Sequence, residues 1–340
     1  MTQHLSAPGK VFLAGEYAVL DGRPALVAGI DRALHASWQS VKNVQIVHAP
    51  SGIIWDGGRP PEELRFAVRA AELALRLCEE EDLQHRGFRL VFEDDFVSEE
   101  GVKLGLGGSA AASVIAARAA CAAQGRLLPE KEALALALAA HFIEQGGSGS
   151  GADVAACALG GVLRVRARIP WRSAEEAMAA PARELLHAHA IEAERVRVPA
   201  DLRLLLAFTG TAADSRILVR KVSAFIRGDP RKWARTADEI GAQSESLREA
   251  LESGARDEAL AAVRAGAAAM ARLGEEAGAG IITADLALAC ALAASAGAAG
   301  KPSGAGGGDS AVVLAFGDEV RDRAEAALRQ HFSVFRVVPA

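Results

Sequence analysis

Cysteine is scarce in this chain of 340 residues, and Cys78, Cys121, Cys157 and Cys290 are scattered with no CxxC spacing. That excludes a disulfide framework and a cysteine zinc site, and leaves four small side chains for the core. The opening MTQHLSAPGK lacks the apolar centre of a signal peptide, so the cytoplasm is the expected compartment. No segment reads as membrane-spanning: Asp285 interrupts the alanine-rich run from Ile281 to Gly300, and alanine is too weakly apolar to hold a helix in lipid. A cationic excess is missing too. Lys plus Arg number 38 against 43 Asp plus Glu, a net charge of −5, which argues against a protein that coats nucleic acid. An anionic ligand would need positive charge gathered locally. Among eight histidines only His187 and His189 lie close together, a poor metal pattern, and all eight are read as structural. No fixed-period repeat exists, so solenoids and propellers are excluded.

What is present is apolar mass: 51% hydrophobic and 24% charged residues, enough for two ordinary domains or one large one. The positive mean hydropathy of +0.15 comes from alanine-rich helices. The order of elements is α+β. Strands are predicted over Lys10 to Leu13, Ala25 to Gly29, Ala33 to Gln39 and Val44 to His48, between turn signals. Leu64, Ala67, Ala71, Leu75 and Cys78 recur at three- and four-residue steps and predict a helix within Pro61 to Glu80. After the strand Phe88 to Phe92, an acidic loop from Glu93 to Gly101 leads to a glycine cluster. Helices are predicted over Ala110 to Ala123 and Glu130 to Gln145, the second behind Pro129. Residues 1–172 form a first domain, 173–199 a connection and 200–340 a second domain. The latter opens on the buried strand Leu202 to Phe208, continues in helices to about Ala296, and closes with the strand Ala311 to Phe316, a helix to Gln330 and a last strand.

Three glycine-rich stretches carry the chemistry. Gly105-Leu106-Gly107-Gly108-Ser109-Ala110-Ala111 stands before an alanine-rich helix and is an anion site in sequence form: glycines admit a phosphate, free N–H groups point at it and the helix dipole favours it. An ordinary serine-capped helix start is the alternative. No Lys-Ser or Lys-Thr follows, so this is no Walker loop, and no GxGxxG follows a first strand as a dinucleotide oxidoreductase requires. The second stretch, Gln145 to Asp153, puts an acid at the start of another small-residue helix. Asp153 either serves a reaction or caps that helix, and Glu144 is a second carboxylate nearby, otherwise a solvated charge. The third, Lys301-Pro302-Ser303-Gly304-Ala305-Gly306-Gly307-Gly308-Asp309, has more glycine than a structural loop needs, which points to close backbone approach to a ligand. Lys10 lies on a strand after Ala7-Pro8-Gly9, either as a fixed positive charge or as an edge lysine.

In this order and spacing the three stretches resemble the signature motifs of the GHMP kinases, a family of small-molecule kinases, over nearly the whole chain. Within it, APGKVFLAGEYAVL, KPSGAGGGDS and Thr209 to Ser215 are most like the branch whose acceptor is 5-phosphomevalonate. The resemblance implies a two-domain fold, the first domain like ribosomal protein S5 domain 2 and the second ferredoxin-like, with the site between them. It implies ATP- and Mg2+-dependent phosphorylation of 5-phosphomevalonate to 5-diphosphomevalonate in the mevalonate pathway, by a monomer or homodimer. Mevalonate phosphorylated on its 5-hydroxyl is the alternative, and a non-catalytic nucleotide-binding protein a more distant one. By motif, Gly105 to Ala111 would wrap the ATP phosphates and Ser109 would face magnesium, with Glu144 as the loosely placed second metal ligand. Lys10 and Asp153 take the catalytic positions. Lys103, Ser148, Ser150, Ser215 and Ala305 would grip the acceptor. Gly108 replaces a serine usual in the family, and Ser310 a frequent cysteine.

A phosphate acceptor, with a second pKa of about 6, is largely dianionic at neutral pH and has no proton to lose. Asp153 is therefore expected to position Lys10 and the acceptor, while Lys10 offsets anionic repulsion.

Overall fold

The computed structural model of the chain describes residues 2–94, 96–97, 104–210, 215–308 and 310–340, with only the backbone of Ser215 and Arg216. Strand β1 (Gln3–Ala14) alternates: Ala7, Gly9, Val11 and Leu13 are buried, while Pro8, Lys10 and Phe12 are half-buried on the other side. It pairs antiparallel with β2 (Ala25–Ser40). The two strands predicted within β2 are one, because the register slips between Pro8, opposite Ala33, and Gly9, opposite Ile30. Asp31 and Arg32 are left over as a bulge, which reads in sequence as a break. Strands β3 (Gln45–His48), β4 (Ile53–Trp55), β5 (Phe88–Phe92), β6 (Val162–Ala167) and β7 (Ile191–Arg195) complete a sheet of order β4-β3-β5-β2-β6-β7, with β1 on β2.

Helices α1 (Arg65–Glu80), α2 (Gly108–Ala123), α3 (Glu130–Glu144) and α4 (Ala152–Leu159) pack in this part of the molecule. The inner stripe of α1 runs through Ala67, Ala70, Ala71, Ala74, Leu77 and Cys78, whereas Leu75, expected in it, is half-buried. α2 and α3 bury residues on all sides, as helices packed between other elements must. The stretch 173–199, expected as a connection, holds α5 (Ala174–Ala179), α6 (Ala182–Leu186) and β7, which pairs antiparallel with β6 at the edge of the sheet.

The rest of the chain runs β8 (Leu202–Phe208), α7 (Ser215–Gly228), α8 (Pro230–Ser253), α9 (Arg256–Glu276), α10 (Ala284–Ser295), β9 (Ala299–Pro302), β10 (Ser310–Phe316), α11 (Asp318–Leu328) and β11 (Ser333–Val337). Its four strands form an antiparallel sheet of order β11-β8-β10-β9, the expected ferredoxin-like arrangement. β8 is apolar from Leu204 to Phe208 because both its faces are covered there, while Arg203 near its start pairs with Asp318. Leu205 and Ala207 join Leu286 of α10 and Leu328 of α11, while Leu204 and Leu206 belong to the large core that includes Leu247 of α8 and Val263 of α9. Burying each such leucine contributes roughly 1.5–3 kcal/mol. A third cluster, with Tyr17, Trp233 and Met270, fastens the turn after β1 to α8 and α9. Among the described residues no helix is long and apolar enough to cross a membrane.

Candidate active site

The alternation of β1 puts Lys10 opposite its core face, and the first glycine loop closes over that side chain. Lys10 Nζ donates to Gly105 O at 2.8 Å, and Lys10 N donates to Leu106 O at 2.8 Å. Gly107 caps α2 in the left-handed region (φ 85°), where a Cβ would lie 2.8 Å from Lys10 Cγ. Only glycine satisfies both demands. The first intrahelical bond of α2 is Ala111 N to Gly107 O, so the amides of Gly108, Ser109 and Ala110 precede it, and among the described residues no side chain caps them. Among the described residues these donors have no partner, and they lie at the positive end of the helix dipole, where the sequence reading expects a phosphate.

The second loop leads into α4, which starts behind the left-handed Gly151 (φ 72°). This start is largely closed on itself: Ala152 N donates to Ser150 Oγ (3.3 Å) and Val154 N to Asp153 Oδ1 (2.9 Å). The other carboxylate oxygen of Asp153 points across to α3, where His141 Nε2 lies 3.7 Å from Oδ2 and 3.1 Å from Ser109 Oγ. Ser109 and Asp153, predicted from separate loops, are thus joined through one imidazole. Lys10 and Asp153 form no direct ion pair; Lys10 Nζ binds the glycine loop. Both charges nevertheless act on the buried Cys157, whose Sγ is 4.0 Å from Gly107 O: burial pushes the thiol pKa up, Asp153 adds to this and Lys10 opposes it.

The third stretch divides. Lys301 and Pro302 belong to β9, and Lys301 is buried in an ion pair with Glu16. Ser303 Oγ accepts from Phe12 N (3.1 Å), Tyr17 OH donates to Ala305 O (2.6 Å), and a Cβ on Gly304 would lie 3.9 Å from Lys10 Nζ. The loop therefore lies beside Lys10. Gly306 and Gly307 serve packing, since a Cβ on either would meet Ile281 O at 2.4 Å or Leu218 Cδ1 at 2.5 Å. Close approach to the protein itself, and not only to a ligand, explains that part of the glycine run.

Glu144 stands apart from the metal role expected of it. Its carboxylate is engaged by Arg69 Nε at 2.9 Å and Arg65 Nη1 at 3.5 Å, tying the end of α3 to α1. Ser148 Oγ is exposed and donates to Gln145 O at 2.9 Å, while Ser150 is buried. Lys103, Asp309 and the side chain of Ser215 lie outside the described residues. Sequence reasoning gave no individual role to Glu16, Tyr17 and Lys301, although they lie in its motifs, and it missed His141 altogether. The only sequence signal for His141 is a polar residue inside the apolar run Ala133 to Ile143, which once buried must find a partner.

Two family models match, "GHMP kinases N terminal domain" over residues 65–161 and "GHMP kinases C terminal" over 247–334. The chain is 30% identical to phosphomevalonate kinase of Streptomyces sp. (strain CL190), over 98% of this chain and 94% of that one. It is 32% identical to mevalonate kinase of Pyrococcus horikoshii over 46% of this chain and 49% of that one. Among solved structures, Streptococcus pneumoniae phosphomevalonate kinase in complex with phosphomevalonate and AMPPNP superposes with a TM-score of 0.86 at 21% identity, covering 98% of this chain and 99% of that one. L. major mevalonate kinase in complex with R-mevalonate reaches 0.72 at 21%, covering 99% and 95%.

Proposed function

Because the chain belongs to the GHMP kinase family, we propose that it transfers the terminal phosphoryl group of ATP to 5-phosphomevalonate, giving 5-diphosphomevalonate in the mevalonate pathway. The observation that carries this acceptor is the extent of likeness: the phosphomevalonate kinase aligns over 98% of the chain, the archaeal mevalonate kinase over 46%. The two sheets are taken as the two lobes, the first ending with β7 at Arg195 and the second opening with β8 at Leu202. A cytoplasmic enzyme, monomeric or homodimeric, completes the reading.

An oxygen of the acceptor's phosphate attacks the γ-phosphorus of ATP, and the bond from that phosphorus to the β–γ bridging oxygen breaks, its electron pair leaving with ADP. The acceptor is already dianionic, so no side chain need take a proton. The protein's task is alignment and neutralisation of charge. The three uncapped amides of α2 are offered to the nucleotide phosphates, and Lys10, held by the loop that carries those amides, faces the transferred group. Magnesium, when bound, supplies further neutralisation of phosphate charge. Ser109 Oγ and the Asp153 carboxylate suit it as hard oxygen donors, since this ion takes few protein ligands and fills its shell with phosphate oxygens and water. Glu144, already held by two arginines, is left out of that set. Lys103, Ser148, Ser150 and Ser215 are assigned to the acceptor's phosphate and carboxylate; the Ala305 carbonyl, bound by Tyr17, helps shape the wall.

A coupled ADP-release assay with ATP and Mg2+ tests the reading, phosphomevalonate and mevalonate being offered in parallel. Turnover of phosphomevalonate at least about a hundredfold above that of mevalonate in kcat/KM is expected, which corresponds to roughly 2.7 kcal/mol of discrimination. Preference for mevalonate would overturn the acceptor, and no ADP with either would overturn the kinase.

A further inference from the structure

His141 is 2% exposed, inside a helix otherwise buried among apolar neighbours. Its ring packs on Phe66 (centroids 4.8 Å apart), and the Arg65 guanidinium lies 4.3 Å from the other ring's centroid. A buried polar ring costs free energy unless its nitrogens are used. Nε2 is within hydrogen-bond reach of Ser109 Oγ at 3.1 Å, and Asp153 Oδ2 lies next to it at 3.7 Å, beyond hydrogen-bond length but near enough to act electrostatically. A lone pair on Nε2 would face the Asp153 carboxylate, so the tautomer that fits carries its hydrogen on Nε2 and donates to Ser109 Oγ.

We propose that His141 is a positioning residue: its Nε2–H, hydrogen bonded to Ser109 Oγ and turned toward the Asp153 carboxylate, sets the Ser109 hydroxyl relative to that carboxylate, so that α2 and α4 present their oxygens to one nucleotide–metal complex. With the imidazole hydrogen bonded to Ser109 Oγ, the serine's remaining lone pair and its own hydrogen stay free for ligand. This rests on the assignment of Ser109 and Asp153 to the nucleotide site made above.

The test is a double-mutant cycle, His141→Leu and Ser109→Ala singly and together, read as kcat/KM for ATP and as the affinity for AMPPNP with Mg2+. His141→Gln, which keeps an N–H donor at similar reach, is the rescue variant. Thermal unfolding of each variant reports whether it is folded. The expected result is a loss of about tenfold or more for His141→Leu in the wild-type background, a much smaller loss in the Ser109→Ala background, and substantial recovery in His141→Gln. Equal losses in both backgrounds, no loss, or a Gln variant as impaired as Leu would overturn the proposal. If His141→Leu does not fold, His141→Asn, too short to reach Ser109, takes its place. If the wild type turns over neither acceptor, the kinase reading fails while the AMPPNP cycle still decides the role of His141.

Discussion

Helices α2 and α8 begin in opposite ways. Asp229 caps α8 by accepting from Lys232 N at 2.9 Å, with Pro230 in its first turn, and Thr283 caps α10 in the same manner from Leu286 N at 3.2 Å. α2 begins behind a left-handed glycine with no side-chain cap. A cap contributes about 1 kcal/mol to stability, so α2 forgoes stabilisation and keeps its donors open. The α4 start lies between the two: glycine-led like α2, yet closed by Ser150 and Asp153. The difference supports the proposed roles, in which α2 offers amides to a ligand and α4 displays a carboxylate.

The largest effect should come from breaking the open start itself. Gly107→Ala would put a methyl against Lys10 at a left-handed φ, and kcat/KM for ATP should fall by about a hundredfold or more. Gly125→Ala, at φ 82° but in open space, should leave that parameter near wild type and lower only the melting temperature. Replacing Lys10 by Met should lower kcat by about 10²–10³, checked in steady-state kinetics at saturating ATP, with the fold intact by circular dichroism.

A third effect concerns how the other glycine loop is held. Lys301 and Glu16 are 1% and 3% exposed, and removing one partner leaves a buried charge. Lys301→Met should cost about 3–5 kcal/mol in urea unfolding, and Lys301→Met with Glu16→Gln should recover much of it. Next in size, Asp229→Ala and Thr283→Ala should each cost about 1 kcal/mol of stability and leave kinase activity unchanged, sharpening the contrast with α2. The smallest effect is in pH dependence. The Arg126 guanidinium holds the Glu81 carboxyl below its usual range. A depressed carboxyl adds stability that is present above its unfolded pKa and is lost as pH falls through its folded one, so the acid limb of the stability profile should be slightly shallower in Arg126→Gln.

What was legible in sequence was local. Glycines before an alanine-rich helix announce the α2 start, and the apolar run Leu204 to Phe208 within Leu202 to Phe208 announces a buried strand, because each signal lies within a few residues of the feature it specifies. The missed parts have distant partners. His141 meets Ser109 and Asp153 only after α3 folds against α2 and α4; Lys301 meets Glu16 across 285 residues. The glycines at 306 and 307 read as ligand contacts because nothing local reveals Ile281 and Leu218 beside them. Likewise β7 passed for a connection, since its claim to be a strand rests on β6, whose arginines at 164 and 166 blur the apolar pattern.

Amide hydrogen exchange with and without AMPPNP and Mg2+ measures the convergence of the loops directly. Slowed exchange at Gly108, Ser109 and Ala110, together with slowing around Gly304, is the expected result, while the capped start of α8 stays unchanged. Protection confined to other segments, with the α2 amides exchanging as fast as in the free protein, would contradict it.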